Sequence, residues 1–143
     1  MRAYRSFVAT LTSLALALQA PLSALAASAD FPPATNDDIA RRCDALAAPP
    51  FDRQYSGPRA ELNEVSAGEA LRVCAQAAEA RPVRPRYQYL YGQMLRMAER
   101  YAEAAQQFTA ARQAGNARGT LGLGLLSAYG LGVPQSYETA AGL

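Results

Sequence analysis

The chain of 143 residues contains no histidine and no lysine, and it has only two cysteines. Without histidine there is no Ser-His-Asp triad, no Cys-His pair and none of the common zinc sites. Two cysteines with no Cys-x-x-Cys spacing add nothing toward a metal set, so no metal and no cofactor is expected. Every basic residue is arginine, which reads as a compositional bias of the source more than as a function. Net charge is small as well. The formal balance is +2, and setting aside Arg2 and Arg5 leaves 12 Arg against 12 Asp plus Glu. A neutral body gives bulk charge no hold on nucleic acid or on an anionic membrane. Long apolar runs are also missing. The longest, Phe7 to Leu18, has 12 residues, too few to span a bilayer well.

That short run lies behind Arg2 and Arg5 and ahead of Pro21. Ala24-Leu25-Ala26 and Ala27-Ser28-Ala29 each offer a small-residue cleavage site. A positive start, a short apolar centre and such a site predict a secretory signal peptide over residues 1–26, with an N-terminal membrane anchor as the other reading. The chain would then touch the membrane only transiently, during export to a bacterial periplasm or the exterior. Residues 27–34 read as a flexible lead-in. In an exported protein the even pair Cys43 and Cys74 reads as a disulfide, and two buried free thiols remain the other possibility. A bridge closing that loop would stabilise the fold by about 3–4 kcal/mol.

From residue 35 the pattern is helical throughout. Thr35 or Asn36 can cap a first helix, with Asp37 and Asp38 favourably placed in its first turn. Ile39, Cys43 and Leu46 recur at helical spacing, and Pro49-Pro50 ends the run. Residues 49–65 form a long irregular connection, either functional or a packed strap. Ser66-x-x-Glu69 reads as a capping box for a second helix, with Ala70, Leu71, Cys74, Ala77 and Ala78 on one face. That helix stops before Pro82. Residues 35–82 are thus expected to be a disulfide-linked helix pair with a long loop.

An internal repeat follows. Gly92 precedes Tyr101-Ala102-Glu103-Ala104-Ala105, and Gly124 precedes Tyr137-Glu138-Thr139-Ala140-Ala141. The two glycines are offset by 32 and the two tyrosines by 36, so the second unit is longer by four between its helices. Gly92, Leu95, Tyr101, Ala104, Phe108 and Ala111 resemble the packing positions of a tetratricopeptide repeat (TPR). Leu123-Gly124, Gly130-x-Gly132-Val133, Tyr137 and Ala140 resemble the Sel-one-like repeat (SLR), with Ser136 as the expected cap of its second helix. The resemblance departs at Gln88, Tyr91 and Ser127, which replace the usual large residues. It implies an all-α fold, a short superhelix of stacked hairpins over residues 83–143, with the last hairpin cut short as if the array continued. Such repeats build binding surfaces.

Candidate chemistry is sparse. Glu99 and Glu103, with Arg96 and Arg100 nearby, read as an i,i+4 ion-pair lattice. Gly122-x-Gly124 and Gly130-x-Gly132 lack the Lys-Ser/Thr of a phosphate loop. No residue is assigned to catalysis, and the protein is read as not an enzyme. Arg86, Tyr89, Gln93, Arg96 and Met97 correspond to groove-facing positions of the TPR pattern. There they would hold an extended peptide or an acidic group, with arginine gripping carboxylate through two bonds. The expected function is a protein–protein adaptor or scaffold in envelope, signalling or stress processes, its protein or peptide partner unidentified. The competing classes are a cell-wall hydrolase, a β-lactam-related enzyme or inhibitor, and a fragment of a longer repeat protein.

Overall fold

The computed structural model describes residues 33–142 apart from Leu62, and leaves the side chains of Glu64 and Val65 aside. The leader expected over 1–26, and the lead-in up to residue 32, lie outside the described residues. Within them the chain forms six helices and no strand: α1 (Asn36–Ala47), α2 (Glu64–Glu79), α3 (Pro85–Met97), α4 (Tyr101–Gln113), α5 (Ala117–Tyr129) and α6 (Tyr137–Gly142). Each helix packs on the next, α1 also rests on α3, and α3 touches α5.

Local chemistry sets the starts. The Thr35 hydroxyl accepts from the Asp38 N–H at 3.1 Å, and the Asp38 carboxylate accepts from the Thr35 N–H at 3.0 Å. This reciprocal cap satisfies two backbone donors that a helix start leaves without partners. Helix α2 starts earlier than its expected Ser66–Glu69 box. Asn63 is the cap, accepting from the Ser66 N–H at 3.0 Å, while the Ser66 hydroxyl accepts from the Asn63 N–H at 2.7 Å. Asn caps as well as Ser does, so Ser66 becomes the third residue of the helix. Glu69 instead receives two bonds from Arg42 of α1, at 2.8 and 3.0 Å. Pro85 opens α3 at a position where its missing N–H costs nothing.

Small residues let α1 and α2 approach closely. Ala40 and Ala47 of α1 and Ala70, Ala77 and Ala78 of α2 are buried, and Cys43 is bonded to Cys74 with Cα atoms 4.9 Å apart. Leu71 is half-buried.

The internal repeat is visible in the helix limits. The start of α5 is offset by 32 from that of α3, and the start of α6 by 36 from that of α4. Phe108 of α4 is fully buried between two glycines. A Cβ on Gly92 of α3 would stand 2.6 Å from its ring, and one on Gly122 of α5 would stand 2.7 Å from it. The extra residues of the second unit form a turn through Gly130 (φ 65°) and Gly132 (φ 67°), a backbone region that glycine occupies without strain. Its Ser136 N–H donates to the Ser127 carbonyl at 2.9 Å, and the Ser136 hydroxyl caps α6 by accepting from the Thr139 N–H at 3.0 Å. The expected Glu99–Glu103 lattice does not form as a helix face. Glu99 lies in the α3–α4 turn at φ 58°, between two helices rather than on one, and only Glu103 is bridged, by Arg100 at 2.6 Å.

Candidate functional site

The five residues expected to share a groove divide into two groups. Arg86 and Tyr89, near the start of α3, are internal. Gln93, Arg96 and Met97, near its end, line a groove.

Arg86 is a bolt between three segments. Its Nε and Nη2 approach Asp44 Oδ1 of α1 at 2.8 and 2.7 Å. Its Nη1 donates to Gln54 Oε1 at 2.8 Å and pairs with Asp52 Oδ2 at 2.7 Å. Arg118 of α5 reaches the same Asp52 oxygen at 3.1 Å. Arg86 and Arg118 are each the second residue of their helix, so equivalent arginines of the two repeats hold one carboxylate. The Asp52 side chain is 0% exposed. Burial by itself would raise its pKa. The bond from the Gln54 N–H, the bond from Arg86 and the charges of Arg86 and Arg118 outweigh burial and hold it below the ordinary aspartate value. Tyr87 donates its hydroxyl to Asp44 Oδ2 at 3.0 Å. Burial, then the neighbouring Asp44 charge, pushes its phenol above the ordinary tyrosine value. The expected ligand contact of Arg86 is therefore replaced by an internal ion-pair network, because the strap that follows α1 brings Asp52 and Gln54 to the base of α3.

Tyr89 is 5% exposed. Its ring lies 6.0 Å from that of Phe108, and the Arg118 guanidinium sits over it at 5.8 Å. Helix α5 covers the position, so Tyr89 packs inside the fold instead of facing a ligand.

Gln93, Arg96 and Met97 form one wall of a groove of about 380 Å³. Leu46, Ala48, Pro49 and Pro50, from the end of α1 and the strap, form the other, with Met94 and Arg59 completing it. A chain of bonds orders the polar wall. Arg96 Nε donates to Gln93 Oε1 at 3.0 Å, and Gln93 Nε2 donates to the Tyr89 phenol oxygen at 2.9 Å. Arg59 is steadied by the Tyr55 carbonyl at 3.1 Å and lies 5.5 Å from the centre of the Tyr55 ring. Among the described residues no carboxylate lies within ion-pair distance of Arg59 or Arg96. The groove therefore combines an apolar lining, adaptable methionines and two guanidiniums that no described carboxylate pairs with.

The opposite wall was invisible in the sequence, because it comes from a distant part of the chain. Asp52 was equally hidden. The available hint was one of several acids in a Pro-rich connection, and its arginine partners lie on helices that the connection had no stated reason to meet.

Among the described residues no three His, Cys, Asp or Glu side chains gather as a metal set. No helix among them is long and apolar enough to cross a membrane. The bonded Cys43–Cys74 pair is of a kind maintained in oxidising compartments. No protein-family model, no curated protein and no solved structure matches the chain.

Proposed function

We propose that the chain is an exported helical-repeat protein of the SLR kind, working in the bacterial periplasm or outside the cell as an adaptor for polypeptides. The observation that carries the reading is the α1–α3 groove. It is apolar for most of its lining, and among the described residues no carboxylate pairs with its Arg59 or Arg96. Such a surface suits an extended peptide that sets an apolar side chain against Leu46 and Met94 and an acidic group against Arg96. No carboxylate lines the groove, so a hydrolase using paired acids has no support there. Export is supported by the leader-like composition of residues 1–26 and by the disulfide. The unequal offsets of the helix starts, with the second hairpin carrying the longer turn, support the SLR reading.

The test is binding to an array of synthetic peptides that combine acidic and apolar residues. Arg96→Ala should weaken the peptides retained by the native chain by about tenfold, the order expected for a charge-assisted contact, and Met97→Ala should weaken them by about as much through lost apolar contact. Arg112→Ala, on the exposed outside of α4, should leave binding unchanged. Equal losses from all three variants, or no selective retention by the native chain, would discard the groove as the binding surface.

A further inference from the structure

The strap after α1 presents one side chain that its local chemistry does not explain. Phe51 is 94% exposed, more than any other large apolar residue among those described. It sits at the tip of a tight turn over residues 49–52, closed by the Asp52 N–H, which donates to the Pro49 carbonyl at 3.0 Å. Pro50 takes the second place of that turn, which its fixed φ suits, and Phe51 takes the third. Turn positions are dominated by Gly, Pro, Asn, Asp and Ser. Neither the turn nor the core calls for a phenyl ring there.

The turn is held on both sides. Asp52, the next residue, is the carboxylate clamped by Arg86 and Arg118 with its side chain 0% exposed, and it also accepts from the Gln54 N–H at 3.0 Å. Pro49 and Pro50, the residues before, form part of the α1–α3 groove wall. The returning strap is tied to α1 by the Ala60 N–H, which donates to the Ala45 carbonyl at 2.8 Å, and Arg59 and Ala60 line the same groove. The ring is therefore carried on fixed backbone one residue from the groove. An aromatic side chain so presented has two rotatable bonds to order and a large apolar area to cover, so its burial by a ligand is favourable.

Resting on the reading of the groove as a peptide site, we infer that Phe51 is a specificity-determining contact of that site, and that the ligand is an extended peptide with two large apolar residues and an acid. One apolar side chain lies against Leu46 and Met94, the acid meets Arg96 or Arg59, and the second apolar side chain packs on the Phe51 ring. Charge selects this class of partner. Among the described residues no carboxylate pairs with Arg59 or Arg96, and none lines the groove, so an acidic peptide supplies the counter-charge. Phe51 then sets which acidic peptides are held, since those without the second apolar residue leave its ring in water.

The chain has no tryptophan, so Phe51→Trp puts a single reporter at the turn tip. The probes are short synthetic peptides combining Phe, Leu and Glu in a serine background. With peptides that the native chain retains, the tryptophan emission should move to shorter wavelength as the indole leaves water. Phe51→Ala should weaken those peptides about tenfold and leave the thermal midpoint within ~3 °C of native, because the ring is already in water. Changing the large apolar residues of the peptide to serine one at a time should find one whose loss weakens binding to the native chain but not to Phe51→Ala. Peptides that lose affinity for Arg96→Ala yet bind Phe51→Ala as tightly as native, or that leave the emission unmoved, overturn the role of Phe51 while the groove reading stands. No retained peptide at all removes both. Emission that shifts when the protein alone is concentrated gives the ring to a second copy and overturns the inference, as does a large fall in the midpoint of Phe51→Ala.

Discussion

The hairpin α3–α4 and the hairpin α5–α6 are built on one plan, yet they live in different surroundings. The first lies between α1–α2 on one side and α5 on the other. Its Leu90, Leu95, Ala104, Phe108 and Ala111 are all fully buried. Tyr101 at the head of α4 is half-covered, since the Gly132 turn packs so closely that a Cβ there would stand 2.7 Å from the Tyr101 Cβ. The second hairpin is covered on one side by α4. Its Leu121 and Leu125 are exposed, and Tyr137, the counterpart of Tyr101, is 71% exposed. The same residue pattern is therefore core in one place and surface in the other. In a helical array a residue's role is decided by its neighbour as much as by its own position in the repeat.

The largest effect should come from Phe108, which both hairpins share. Phe108→Ala removes the side chain that fills the space between Gly92 and Gly122, and should cost about 3–5 kcal/mol by chemical denaturation. Leu125→Ala, on the uncovered face, should cost less than about 1 kcal/mol in dilute protein. Similar losses for the two would erase the distinction between the hairpins.

Next is the carboxylate that joins the repeats at their bases. Asp52→Asn takes the counter-charge from Arg86 and Arg118 and should destabilise by about 3 kcal/mol. The pH dependence has a definite sign. The folded pKa of Asp52 lies below its unfolded value, so its contribution is complete above pH ~4 and is lost as pH falls through the folded pKa. Asp52→Asn should therefore flatten the acid limb of a stability–pH curve. An unchanged limb would mean that the buried carboxylate is not tuned by the two arginines.

A smaller contrast separates the two repeat glycines. Gly92→Ala forces a methyl into the Phe108 ring and should destabilise by about 1–3 kcal/mol. Gly124→Ala meets only ordinary contact and should gain up to about 1 kcal/mol from helix propensity. Thermal melts of the two variants read the difference directly, and shifts of the same sign would contradict it.

Most helix limits were legible because they depend on local chemistry: Thr35, Pro49-Pro50, the Gly130–Gly132 turn and Ser136 act within a few residues of themselves. The α2 start was displaced because Asn63 and Ser66 can both cap, and sequence alone did not rank them. The groove was legible in part. The resemblance to a tetratricopeptide repeat put Arg86, Tyr89, Gln93, Arg96 and Met97 at groove-facing positions of α3. Which of them meets solvent depends on the strap over the base of α3 and on α5 over its middle. Both are long-range placements that helical periodicity does not encode. Arg86 and Tyr89 were therefore displaced from the groove, and Gln93, Arg96 and Met97 line it.

Native-state hydrogen exchange, read amide by amide in dilute protein, tests most directly the claim that two like hairpins differ by their cover. The account predicts that the core of α3 and α4 around Leu95 and Phe108 exchanges only through global unfolding, while α6 and the last turn of α5 open at much lower free energy. Equal protection of α4 and α6 would contradict it.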